Sequence, residues 1–213
     1  MDISKMTNVE EKREVAKKIL QYVKDNQTIG FGSGSTSYLA TIEIGKYAKE
    51  NNLHIKAIPT SNEIEELCKE YDIKIGSLVE DKIDWAFDGA DEVDPNNNLI
   101  KGMGAAMFKE KLNIISSEKT FILVDKSKFV TELGEKHPVP IEVFPRAMKY
   151  VSEELYKLGA TETVYRGMTE NDNAILDTRF EKIDVSLEKK IKAITGVIES
   201  GLFMGYNIEV MSN

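Results

Sequence analysis

Hydrophobic positions along the chain alternate between two periods. Val15, Ile19, Tyr22 and Val23 fall at helical spacing, "TIGFG" is a short apolar run of strand length, and Tyr38, Leu39, Ile42 and Tyr47 return to the helical period. "HIKAIP" reads as a strand and is followed by a helix from Asn62 to Tyr71, with Thr60 and Glu63 at capping-box spacing. Extended "IKIGSLV" and "IDWAF", a helix from about Gly104 and the strand "TFILVD" come next. Strand and helix alternate throughout, which predicts an α/β fold: a doubly wound, mostly parallel, Rossmann-like sheet with helices on both faces.

From about Leu133 the pattern changes. "HPVPIEVF" leads to a helix after Pro145 with Met148, Val151 and Leu155 on one stripe. "ETVYR" and "AILDT" flank the turn "ENDN", a helix covers about Ser186 to Ile194, and "GVIES" is a strand. The order β-α-β-β-α-β predicts a smaller, ferredoxin-like α+β domain of roughly 70 residues. The expected division is 1–130 for the Rossmann-like domain and 131–202 for the second. "YNIEVM", within 203–213, returns as a strand to the first sheet.

Composition narrows the function classes. With 41% hydrophobic and 30% charged residues, the 213-residue chain can bury a core. A net charge of -8 with scattered Lys and Arg argues against a nucleic-acid partner. No apolar stretch has the length of a membrane span or the form of a signal peptide, so no membrane partner is expected. The single cysteine, Cys68, suits a reducing compartment, and a cytoplasmic location is expected.

In open α/β sheets, ligands bind beyond the carboxyl ends of the strands. Four polar clusters fall there: Ser33 to Thr36, Pro59 to Ser61, Asp88 to Asp94, and Asp125 to Lys128. The stretch "IGFGSGSTS" offers backbone N–H groups, hydroxyls and a helix N-terminus. It is either a phosphate cradle or a tight turn capped by Ser35 or Thr36. Its G-x-G-x-G spacing puts Ser35 where a dinucleotide fingerprint needs glycine, and no Walker lysine follows, so a small phosphate ester fits better.

"DGADEVD" crowds Asp88, Asp91, Glu92 and Asp94 together, as acid-base and hydroxyl-orienting groups, a cation site, or a solvated turn. The calcium-loop spacing is not met and neither His54 nor His137 is near in sequence, so metal ranks last. In "KGMGAAMFKEK", a helix from Gly104 puts Ala105, Phe108, Leu112 and Ile115 on an apolar stripe. Glu110 then falls roughly opposite, where periodicity alone makes it a plain solvent-facing residue.

Taken in order, "GFGSGST", "PTS", "DGADEVD", "KGMGAA" with "KEK", "VDKSK" and "HPVPIEVFP" resemble the ribose-5-phosphate isomerase type A family over almost the whole chain. The resemblance implies a cofactor-free aldose-ketose isomerase of the pentose phosphate pathway that binds a small sugar phosphate and assembles as a homodimer or homotetramer. Its substrate positions correspond to Ser33, Gly34, Ser35, Thr36, Asp88, Gly89, Ala90, Asp91, Lys101, Gly102, Met103, Gly104 and Lys128, and its catalytic base to Glu110. Within that frame Lys101 stabilises the developing oxyanion, Asp88 assists ring opening and Asp91 orients hydroxyls. The family motif often reads K-G-G-G, and Met103 departs from it. The competing classes are a non-catalytic sugar-phosphate sensor on a related fold and a CoA transferase-like enzyme that forms a glutamyl thioester.

Overall fold

Residues 28–31, 85–88 and 120–123 are buried at every position, as strands covered on both faces require. The computed structural model describes residues 1–213. In chain order the elements are α1 Val9–Lys17, β1 Thr28–Phe31, α2 Gly34–Glu50, β2 Lys56–Pro59, α3 Asn62–Glu70, β3 Lys74–Ile75, β4 Trp85–Asp88, β5 Glu92–Val93 and β6 Leu99–Ile100. Then follow α4 Met107–Ser116, β7 Thr120–Leu123, β8 Val139–Val143, α5 Met148–Lys157, β9 Ala160–Met168, β10 Ala174–Phe180, α6 Leu187–Lys192, β11 Val197–Ser200, β12 Leu202–Phe203 and β13 Ile208–Met211. No helix is long and apolar enough to cross a membrane.

The chain divides into two compact units. The first contains Met1–Gly89, Lys109–Ser127 and Asn207–Asn213, and the second Ala90–Phe108 and Lys128–Tyr206. Residues 90–108 therefore group with the second unit, whereas the sequence division runs the first domain unbroken to 130. The reason is local pairing: β6 is hydrogen-bonded to β5 and to β12, and Ile100 packs in the second core. Two-residue strands leave no periodicity to read.

In the first unit six strands pair in parallel in the order β13-β7-β4-β1-β2-β3. Alternate strand residues point to opposite faces. Ile29, Phe31, Ala57, Phe87, Phe121 and Leu123 join Val15 and Ile19, Leu39 and Ile44 of α2, and Ile64 and Leu67 of α3 in the main core. Gly30, Ile58 and Ala86 face the other way, toward Asn113 of α4, whose Nδ2 donates to the Ile58 carbonyl at 2.8 Å.

Three local expectations need correcting. The N-cap of α3 is Ser61, whose hydroxyl accepts the Ile64 N–H at 3.3 Å, so Thr60 and Glu63 form no capping box. Helix α4 starts at Met107 rather than Gly104, because Ala105 takes a left-handed conformation (φ 65°) that a helix cannot contain. Of "IKIGSLV", only Lys74–Ile75 is strand; the chain then turns, with the Asp81 carboxylate accepting the Ser77 N–H.

The second unit has the element order β8-α5-β9-β10-α6-β11 and the antiparallel sheet order β11-β8-β10-β9. This is the split βαβ arrangement. Val151 and Leu155 of α5 and Leu187 and Ile191 of α6 pack with Ile141, Val143 and Leu176 of the sheet.

Candidate functional site

The strand order of the first sheet reverses between β1 and β4, and crevices for ligands form at such switch points. At the carboxyl end of β1 the Gly32 N–H donates to the Phe87 carbonyl at 2.8 Å. A Cβ on Gly32 would lie 2.6 Å from the Asp88 Cα, so only glycine lets the two chains approach this closely. Asp88, 2% exposed at the end of β4, uses Oδ1 to accept the Gly89 N–H (2.8 Å), the Ser33 N–H (3.2 Å) and the Ser37 hydroxyl (3.3 Å).

Ser33, not Ser35 or Thr36, is the N-cap of α2, and its hydroxyl makes no capping bond. It donates instead to Glu110 Oε1 on α4 at 2.9 Å. Ser33 therefore joins Asp88, through its backbone, to Glu110, through its side chain. The first turn of α2 carries no acidic residue. Its N–H groups and the Ser35 and Thr36 hydroxyls make it favourable to an anion.

Helix α4 reverses the expected stripe. Ile115 is 60% exposed, and the buried positions are Met107, Glu110, Lys111, Asn113 and Ile114. The i, i+3, i+4, i+7 spacing holds, but on a face carrying Glu110 and Asn113. Polar groups occupy it because Ser33 and the Ile58 carbonyl offer them partners. Apolar periodicity identified the opposite face, so the plain solvent-facing reading of Glu110 fails.

In the second unit, the Asp91 N–H donates to the Ile100 carbonyl at 2.8 Å, and Asp91 Oδ2 accepts the Met103 N–H at 3.0 Å. Lys101 is buried; its N–H donates to the Gly201 carbonyl, and its Nζ lies 5.7 Å from the centre of the Phe203 ring. Gly102 has φ 102°, and a Cβ there would meet Met107 Cβ at 3.0 Å, so this position needs glycine. Met103 has no positive φ, which is why a side chain is tolerated there. Lys128 closes a short 3-10 turn, Lys126–Lys128, and is half-buried.

The acidic cluster separates by role. Glu92 is fully buried and accepts the N–H groups of Gly134, Lys136 and His137 at 2.6–2.7 Å. Asp94 accepts the N–H groups of Asn96 and Asn98, both at 2.8 Å, in the turn between β5 and β6. Both serve the backbone, including Asp94, for which acid-base or orienting work is expected from sequence. Sequence reasoning also missed Arg166 on β9, which donates to the Gly102 and Met103 carbonyls; a strand arginine more than 60 residues from the loop carries no local signal.

Residues 56–212 match the family ribose 5-phosphate isomerase A (phosphoriboisomerase A). The chain is 42% identical over 208 residues to ribose-5-phosphate isomerase A of Thermococcus kodakarensis, covering 92% of this chain and 91% of that protein. Among solved structures it is similar to ribose 5-phosphate isomerase A of Methanocaldococcus jannaschii (TM-score 0.92, 38% identity, covering 97% and 96% of the two chains). It is also similar to a D-ribose-5-phosphate isomerase in complex with phospho-erythronic acid (TM-score 0.91, 40% identity, covering 96% and 95%).

Glu92 offers a direct test of its structural part. Glu92→Ala takes the acceptor from the N–H groups of Gly134 and His137, which are partly buried, and of Lys136, which is exposed. A buried donor left unpaired costs about 1–3 kcal/mol, so urea unfolding should show a loss of at least about 2 kcal/mol. A loss below about 1 kcal/mol would mean that the 134–137 loop finds its partners elsewhere.

Proposed function

The chain belongs to the ribose-5-phosphate isomerase A family, and from that premise we infer that Glu110 carries the proton in its reaction. The reaction interconverts D-ribose 5-phosphate and D-ribulose 5-phosphate. Moving the carbonyl from C1 to C2 of the open-chain aldose removes the C2 proton and passes through a cis-enediolate. A proton is returned at C1, and the hydroxyl proton passes from O2 to O1. A carboxylate suits the first task, and a cation or an N–H donor suits the charge that builds on oxygen.

The single observation that carries this reading is the Ser33 hydroxyl donating to Glu110 Oε1. A base must be held in one orientation, and here it is held by the residue that opens the anion-favouring turn of α2. Asp88, bonded to the same residue, is assigned to ring opening of the furanose. Ser33, Gly34, Ser35 and Thr36 are assigned to the 5-phosphate. From the second unit, family correspondence assigns Asp91 to the sugar hydroxyls, Lys101 to the oxyanion and Lys128 to added positive charge. Gly89, Ala90, Gly102, Met103 and Gly104 are assigned substrate contacts on the same ground. A cytoplasmic location and a homodimer or homotetramer belong to the same proposal.

In Glu110→Gln the shape stays and the basicity goes. Its kcat should fall by about 10²- to 10⁴-fold with folding intact by circular dichroism, and turnover at the wild-type rate would remove Glu110 from the role.

Ser35→Glu puts a carboxylate into the first turn of α2. It should lower kcat/KM for ribose 5-phosphate by at least about tenfold, the equivalent of one charged hydrogen bond, while leaving unphosphorylated ribose far less affected. Undiminished discrimination between the two sugars would assign the phosphate elsewhere.

A further inference from the structure

The peptide joining Gly102 to Met103 is gripped on both sides. Its N–H donates to Asp91 Oδ2 at 3.0 Å, and its carbonyl accepts from Arg166 Nη2 and from the Ala105 N–H, both at 2.9 Å. The next carbonyl, that of Met103, accepts from Arg166 Nη1 at 2.6 Å. One guanidinium thus bridges two consecutive carbonyls. A planar fork does this from two separate nitrogens while its Nε stays beside Asp177, whereas an ammonium carries all its N–H donors on one nitrogen.

Arg166 is itself held in place. Its Nε lies 2.8 Å from Asp177 Oδ2 on the paired strand β10, an ion pair whose N–H is not aligned for a hydrogen bond. The strands supply rigidity that the loop lacks, because Gly102 and Gly104 flank Met103 with little intrinsic preference for one backbone shape. No peptide in the chain is cis, so fixing a carbonyl fixes the N–H across the same plane. Holding the Met103 carbonyl therefore directs the Gly104 N–H away from Arg166. This also explains how the loop accommodates Met103: both polar groups of that residue's backbone are engaged by Asp91 and Arg166, and neither engagement involves its side chain.

We propose that Arg166, anchored by Asp177, is a positioning residue of the isomerase that holds the Lys101–Gly104 loop in its substrate-binding shape. It touches no reacting atom. The proposal rests on the assignment of this loop to substrate, and the test separates the two.

Arg166→Ala, Arg166→Lys and Lys101→Ala are assayed on ribose 5-phosphate, with circular dichroism and thermal melting to verify folding. Misplacing a catalytic loop by about 1 Å costs on the order of 10²-fold, so Arg166→Ala should lose about that much kcat while KM moves far less. Millimolar guanidinium should restore part of that turnover and none of the turnover of Lys101→Ala. Arg166→Lys should recover little, since a single nitrogen cannot take the places of Nη1, Nη2 and Nε on the two carbonyls and Asp177 together. Wild-type kcat in folded Arg166→Ala would overturn the proposal, as would a slow, folded variant that guanidinium cannot rescue. If Arg166→Ala does not fold, Arg166→Lys carries the test, and wild-type kcat in it overturns the proposal equally. Wild-type turnover in Lys101→Ala would instead overturn the assignment of the loop to substrate.

Discussion

A buried carboxylate must be given hydrogen-bond donors, and much of the arrangement at the carboxyl ends of β1 and β4 follows from meeting that demand at Asp88. Its donors come from Gly89, Ser33 and Ser37, so the chain leaving β1 has to pass directly against the end of β4. That passage requires glycine at position 32. It also leaves the Ser33 hydroxyl available to Glu110 rather than to the helix it opens. A conventional side-chain N-cap would stabilise α2 by about 1 kcal/mol; here that capping interaction gives way to a bond that orients a carboxylate.

The second unit handles flexible backbone in a similar way, with charged side chains gripping peptide groups. Glu92 gathers three amides of the 134–137 loop, and Asp91 and Arg166 hold the two sides of one peptide in the Lys101–Gly104 loop. Charge-assisted bonds of this kind are shorter and stronger than neutral ones. They help glycine-containing loops to keep a single shape.

Much of this was legible in the sequence, for physical reasons that differ by element. Buried parallel strands show as apolar runs, and their alternation with helices fixed both the doubly wound sheet and the β-α-β-β-α-β unit. Residues 90–108 were not legible, since β5 and β6 are two residues each and their grouping depends on β12, about a hundred residues later. Helix α4 misled outright, because its buried face is polar and hydrophobic periodicity is blind to that. Four acidic side chains within seven residues look alike in sequence. Asp88, Asp91, Glu92 and Asp94 differ only in which donors the fold turns toward them. Resemblance singled out Glu110, whose burial and hydrogen bond from Ser33 no periodicity could have indicated.

Proton transfer by a carboxylate leaves an isotopic trace that loss of turnover alone does not. In deuterium oxide the wild-type enzyme should build solvent deuterium into C1 of ribulose 5-phosphate, on one face only, as read by proton NMR. Glu110→Gln, folded and saturated with substrate, should lose this exchange together with turnover. Exchange at the wild-type rate in that variant would contradict the assignment of the proton to Glu110.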